Sequence, residues 1–98
     1  MATRPNKTRK VAASVRRFYA SEKNRRRVPA TYFLDRKNRD YPVRNPKSGV
    51  IDCNLVSAAI KRARMNKARG IRGSATVLRK AQTMWTRVCR KYTDGAAQ

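Results

Sequence analysis

The chain is 98 residues long and carries 26 Lys and Arg side chains against five acids, which gives a formal net charge of +21, and it has no histidine. This length excludes a second domain of ordinary size, and the missing histidine removes the commonest general base and the commonest metal ligand. Because so much like charge repels itself in a compact monomer, we expect a negatively charged partner: nucleic acid, an anionic membrane surface or acidic proteins.

The N-terminal part of the chain predicts a basic tail and an amphipathic helix. Residues 1–10 are polar and basic and are interrupted by Pro5, so we expect an irregular tail ahead of a single small domain over residues 11–98. Residues 9–25 predict a helix, for which Thr8 is a candidate N-cap. The apolar stripe of this helix consists of Val11, Ala12, Val15, Phe18 and Tyr19.

Three consecutive arginines, Arg25, Arg26 and Arg27, end this helix before Pro29 requires extended backbone. Cations at a helix C-terminus complement the helix dipole, and each contributes a few tenths to about 1 kcal/mol. A clamp for phosphate groups is the alternative, because arginine binds phosphate in a bidentate manner. The sequence supports the two interpretations equally.

Residues 30–46 predict a short extended or hairpin segment. Leu34 and Val43 flank a polar turn, so each belongs to a short extended arm. Pro42 and Pro46 each lack a backbone donor and bias the preceding residue away from helical angles, so neither arm can be a long central strand.

Two helices over residues 53–68 and 75–92 are predicted to form a C-terminal αα-hairpin. Asp52 and Ser74 are their candidate N-caps, and Gly70 is the expected left-handed stop between them. The apolar residues of the second helix follow helical spacing: Val77, Leu78, Ala81, Met84, Trp85, Val88, Cys89 and Tyr92. Together the elements predict a mainly α fold with an N-terminal amphipathic helix, an extended segment, an αα-hairpin and basic tails.

A series of short motifs lies within residues 32–68. Phe33-Leu34-Asp35 and a basic turn precede Tyr41-Pro42-Val43, and an Ala-rich basic stretch, Ser57-Ala58-Ala59-Ile60-Lys61-Arg62-Ala63, follows in the next helix. This series resembles a small basic module of uncharacterised proteins from tailed phages and large double-stranded DNA viruses. The chain differs from that module in its longer, Gly-containing link at residues 45–51. The resemblance implies a viral context and no catalytic residues.

Basic side chains on the predicted polar helix faces and in the arginine run are candidates for binding a polyanion without base specificity. These residues are Arg16, Arg17, Arg25, Arg26, Arg27, Arg62, Arg64, Lys67 and Arg69. Aromatic side chains beside arginine could also stack on unpaired bases, although a domain this small needs most of them for its core.

The remaining side chains do not suggest catalysis. The five acids are isolated from one another, and no Gly-rich loop suited to cradling phosphate is present, so we expect no enzyme activity, cofactor or small-molecule substrate. Cys53 and Cys89 lack the partners and spacing of a zinc site, and no metal is expected. Buried thiols are the favoured interpretation of the two cysteines, and a disulfide between them stays open.

Charge, small size and the viral resemblance favour a structural protein of a large DNA virus particle. Such a minor capsid or core component would bridge other virion proteins inside the shell and face nucleic acid or an anionic membrane. The alternative is a nucleic-acid-binding protein, such as a genome-condensing or ribosomal protein, located on the ribosome or in the host nucleus or cytoplasm.

Overall fold

A computed structural model of the chain describes residues 11–90 and confirms a mainly α fold with a small antiparallel hairpin between the helices. In chain order, the elements are α1 (Ala13–Ala20), α2 (Glu22–Arg25), a 3₁₀ turn (Ala30–Tyr32), β1 (Phe33–Asp35), β2 (Asp40–Pro42), α3 (Cys53–Ala68), α4 (Ser74–Met84) and a π turn (Trp85–Cys89). The expected basic tail, the candidate cap Thr8 and the last residues of the predicted C-terminal helix lie outside the described residues.

The N-terminal helix is split in two, so the prediction of one helix over residues 9–25 was wrong. Ser21 is extended, with φ −96° and ψ 122°, and it separates α1 from α2. Its hydroxyl accepts a hydrogen bond from the Asn24 amide at 3.3 Å, so Ser21 caps α2. Serine interrupts helices in this way because its side chain competes with the backbone for amide donors.

The predicted extended segment is a short antiparallel hairpin in which Phe33 pairs with Pro42 and Asp35 pairs with Asp40. Tyr41 corrects one expectation, since its φ of 60° is left-handed rather than extended as is usual before proline. Its hydroxyl accepts a hydrogen bond from Asn66 of α3 at 2.6 Å, so a tertiary contact supports this unusual backbone.

The hairpin continues into a tight loop that leads to α3. The Val43 amide donates to the Tyr32 carbonyl at 2.9 Å, and the Val43 carbonyl accepts from the Asp52 amide at 2.9 Å. A further bond joins the Asn45 amide to the Val50 carbonyl at 2.8 Å. Val43 therefore lies between two neighbouring backbone segments, and it is 1 % exposed.

The limits of α3 agree with the prediction. The Asp52 carboxylate accepts from the amides of Asn54 and Leu55 and caps the helix, and Gly70 is left-handed with φ 74°. Ser74, however, is not the cap of α4: Gly73 occupies that position, and the Ser74 hydroxyl is buried without a hydrogen-bond partner among residues 11–90. The helix begins one residue earlier than predicted because Gly73 adopts the left-handed backbone, with φ 85°.

Helices α3 and α4 pack against each other around small side chains, as an αα-hairpin requires. The larger core cluster includes Val56, Ala59 and Ala63 of α3 and Ala81 of α4. Trp85 is only partly buried against this cluster. A second cluster joins α1 to the hairpin and contains Val15, Tyr19, Val28, Phe33 and Leu55. Within residues 11–90, no helix combines the length and apolar character that crossing a bilayer requires.

Cys53 and Cys89 form a disulfide, so the favoured interpretation of buried free thiols was wrong. Packing of the antiparallel helices brings the first residue of α3 beside the last residue of the π turn, although 36 positions separate them in the sequence. The two Cα atoms are 5.5 Å apart, within the usual range for a disulfide.

Candidate polyanion-binding cleft

The four acids of residues 11–90 all have partners within the chain, which leaves most cations without an acidic neighbour. Glu22 pairs with Arg26 at 3.0 Å, and Asp40 pairs with Arg62 at 3.0 Å. Asp35 accepts from the backbone amide of Asn38 at 3.1 Å inside the hairpin turn. Together with the capping role described for Asp52, these contacts place the acids in structural positions.

Three of the nine residues predicted to bind a polyanion also have contacts inside the chain. Arg25 donates from Nη1 to the Tyr19 carbonyl at 2.6 Å, Arg26 pairs with Glu22, and Arg62 pairs with Asp40. The other six are exposed and have no ion pair with any residue of 11–90: Arg16, Arg17, Arg27, Arg64, Lys67 and Arg69. Exposed cations of this kind are the ordinary means by which basic proteins contact phosphate backbones.

A concave site of about 460 Å³ lies between α2 and the turn that joins β1 to β2. Four cations and one acid line it, together with one amide: Arg25, Arg26, Lys37, Arg39, Glu22 and Asn38. We call this site the α2–turn cleft. It brings two predicted residues, Arg25 and Arg26, together with two that the sequence did not single out, Lys37 and Arg39.

Arg39 holds the two walls of the cleft together. Its backbone is left-handed, with φ 51°, which is uncommon for a residue other than glycine. Its Nη1 donates to the Val28 carbonyl at 2.6 Å and to the Arg25 carbonyl at 3.3 Å. The hairpin turn is therefore attached to the chain just after α2, and the Nη2 donors of Arg39 are not used by any residue of 11–90.

Arg25 is positioned by a contact with the end of α1. The carbonyl of Tyr19, near the end of α1, would lack a helical partner, and the bond from Arg25 satisfies it. Arg25 therefore bonds a carbonyl at the end of α1 rather than at the end of the helix that contains it. Both guanidinium groups, Arg25 and Arg39, are held by backbone carbonyls before any ligand arrives.

Tyr19 connects this region to the loop that precedes α3. Its hydroxyl donates to the Arg44 carbonyl, while its own carbonyl accepts from Arg25. Burial raises the pKa of the Tyr19 hydroxyl, and the nearby Tyr32 and Asp52 raise it further. The neutral phenol therefore persists in the folded protein, where it serves as a donor.

The cleft has the chemistry of an anion site. Planar guanidinium groups offer paired donors that match the oxygens of phosphate, and the lysine adds a flexible point charge. Among residues 11–90, no group of three side chains is arranged to hold a metal ion. Sequence reasoning missed Lys37 and Arg39 because they lie in a turn, and their charge within a polar turn was the one signal that could have suggested them.

Comparison with known proteins assigns the chain to no family. No protein-family model matches it, and neither the curated proteins nor the solved structures contain a significant match.

Proposed function

We propose that the protein is a non-enzymatic structural component of a large DNA virus particle, a minor capsid or core protein that bridges shell proteins and binds a polyanion. One observation supports the binding of a polyanion: in the α2–turn cleft, four cations from two segments surround one acid. The viral part is supported by the motif resemblance within residues 32–68.

Nucleic acid is the polyanion that the cleft fits best. Positioned arginines beside a lysine match consecutive phosphates, and the exposed cations of α1 and α3 add positive charge outside the cleft. The aromatic residues that could stack on bases are largely committed to the core, since Tyr19, Phe33 and Tyr41 are each no more than 7 % exposed. Contacts to the phosphate backbone without base recognition follow from this arrangement.

The cleft is tested by the salt dependence of DNA binding. The double variant Arg26→Gln/Lys37→Gln removes two charges from the cleft, and Lys47→Gln/Arg72→Gln removes two exposed charges outside both α2 and the hairpin turn. If the cleft contacts two phosphates, the cleft variant lowers the slope of log K against log salt by about 1.8 for duplex DNA. The control changes it much less. Equal effects of the two variants, with both still folded by circular dichroism, would show that the cleft has no special role.

The virion part is tested by gradient fractionation of the native source, before and after nuclease and high salt. A bridging structural protein stays with the particles after both treatments, because protein contacts hold it. Release together with nucleic acid would favour the genome-condensing alternative, and sedimentation with ribosomes would favour a ribosomal protein.

A further inference from the structure

A second concave surface lies between the hairpin and the C-terminal helix. It is an open groove of about 950 Å³, bordered by β1, the chain that follows β2, the end of α4 and the π turn. Five cations line it: Arg36, Arg44, Arg79, Lys80 and Arg87. None of the nine residues discussed as polyanion ligands belongs to this groove, so it is a separate site, which we call the Met84 groove.

The floor of the Met84 groove is apolar. Leu34 and Val43 form its base, and Met84 and Val88 are only partly buried, so their side chains are accessible to a partner. Methionine adapts its shape easily and is common in surfaces that accept varied apolar side chains. A ligand that consisted of phosphate alone would leave this floor unmatched and exposed to water.

The described charges around the floor are all of one sign. Among residues 11–90, no Asp or Glu lines the groove, and Arg36, Arg79 and Arg87 are exposed without an acidic partner. Arg44 is held in place, because its Nη1 donates to the Gly49 carbonyl at 2.8 Å. Carboxylates are the complementary groups, and arginine binds them through two parallel hydrogen bonds.

Stacked bases do not fit this surface well. Among residues 11–90, Phe33 is the one aromatic residue in the lining, and at 2 % exposure it offers no accessible ring on which a base could lie. The accessible apolar surface is aliphatic and thioether in character. Such a floor suits a leucine, isoleucine or methionine side chain flanked by acids.

We propose that the Met84 groove docks an acidic segment of a partner protein, with a bulky aliphatic side chain on the floor and carboxylates paired with the surrounding arginines. This inference rests on the bridging role in the proposed function and names the chemistry of the partner. It concerns a different surface from the α2–turn cleft, so the two can be tested separately.

The test uses fluorescein-labelled synthetic peptides made of Glu and Leu, in one helical and one extended design, and the full-length protein. Binding is measured by fluorescence anisotropy at about 150 mM salt, where weak surface attraction is screened. One control peptide replaces Leu by Ser and keeps the charge, and another replaces Glu by Gln and keeps the leucines. At least one Glu-Leu peptide is expected to bind about tenfold or more tightly than either of its controls.

Two matched variants locate the site on the protein. Arg79→Gln/Arg87→Gln removes two charges from the groove, and Lys61→Gln/Arg64→Gln removes two exposed charges from α3. The groove variant is expected to weaken the Glu-Leu peptide about tenfold, and the α3 variant less than about threefold. Equal affinity for the Leu and Ser peptides, equal losses in the two variants, or no binding of either design overturns the proposal.

Other occupants give other results. The groove variant is also compared with the cleft variant for binding to single-stranded DNA and to phosphatidylserine vesicles. If the groove variant weakens either interaction more than the cleft variant does, the groove belongs to nucleic acid or to a membrane, and the proposal is overturned. The cleft variant Arg26→Gln/Lys37→Gln should lose DNA affinity and keep peptide affinity. If the Glu-Leu peptide does not bind but the cleft variant loses DNA affinity, only this inference fails. If the peptide binds as expected but the cleft variant keeps its DNA affinity, only the proposal for the cleft fails.

Discussion

Tyr19 illustrates how much a single residue contributes to this small fold. It is 6 % exposed, and its ring meets Phe18 and Phe33 edge to face, with centroids 5.2 Å and 5.6 Å away. Such aromatic pairs contribute about 0.5–1.5 kcal/mol beyond the burial of their area. The Tyr19 hydroxyl donates to the Arg44 carbonyl and the Tyr19 backbone carbonyl accepts from Arg25, so one residue links α1, the cleft and the loop before α3.

The raised pKa of Tyr19 predicts a specific alkaline sensitivity. The folded protein binds the phenolic proton more tightly than the unfolded chain, so stability is retained below a pH of about 10 and is lost progressively above it. Tyr19→Phe should be less stable near neutrality by about 1 kcal/mol, because the Arg44 carbonyl loses its donor. The variant should also show a shallower loss of stability above that pH.

Thermal unfolding of the native protein and Tyr19→Phe at pH 8 and at about pH 11 measures this effect, since tyrosine ordinarily titrates near 10. The gap between their melting temperatures should narrow or reverse at the higher pH. Parallel curves for the two proteins across this range would show that Tyr19 titrates no differently on folding.

At the scale of elements, glycine positions decide where the hairpin and helices end. Gly49, Gly70 and Gly73 all have positive φ, but their surroundings differ. A Cβ at Gly49 would lie 2.7 Å from the Tyr32 hydroxyl oxygen, whereas a Cβ at Gly70 or Gly73 would have no neighbour within 4 Å among residues 11–90, apart from the adjacent residues of the chain. The loop before α3 therefore requires glycine because of its positive φ and because of the nearby Tyr32 hydroxyl, whereas the link between α3 and α4 requires it because of its positive φ alone.

Alanine substitutions separate these two reasons. Gly70→Ala should cost about 1–2 kcal/mol, because a left-handed backbone disfavours a Cβ. Gly49→Ala should cost more, since the Tyr32 ring must also move. The free energy of unfolding in urea measures both, and adding Tyr32→Phe to Gly49→Ala should recover part of the difference. Equal costs for Gly49→Ala and Gly70→Ala would show that the Tyr32 contact is unimportant.

For the whole molecule, the disulfide and the charge act in opposite directions. A net charge of +21 destabilises a compact chain, and a domain of 98 residues has little core with which to oppose it. The Cys53–Cys89 disulfide connects the two ends of the helical hairpin and restricts the unfolded chain. A basic domain of this size therefore gains stability from such a crosslink as long as no anionic partner neutralises its charge.

Removal of the disulfide should therefore be costly. Closing a loop of 36 residues corresponds to about 4 kcal/mol of chain entropy, so Cys53→Ala/Cys89→Ala should lose up to about that amount. The native protein should lose a similar amount on reduction, and the variant should not respond to reductant. Two free thiols by mass spectrometry of the native protein, or a variant as stable as the native chain, would contradict this account.

Local sequence signals located most of the helical structure. The periodic apolar residues and the Asp52 cap place α3 correctly, and the spacing of Val77, Ala81 and Cys89 identifies the core side of the last helix. The break at Ser21 was missed because the apolar stripe ends at Tyr19, and the polar residues after it carry no periodicity that distinguishes one continuous helix from two. The spacing of apolar residues indicates which face of a helix is buried, but it does not show where a serine will end one helix and cap the next.

By itself the sequence determined the class of the fold, the excess of positive charge and the basic side chains available to a partner, because each of these depends on residues close together in the chain or on composition. The tertiary structure decided three further points: the pairing of Cys53 with Cys89, the left-handed backbone of Tyr41, and the meeting of Arg25 with Arg39. Each depends on contacts between segments far apart in the sequence, whose approach is set by the packing of the whole chain.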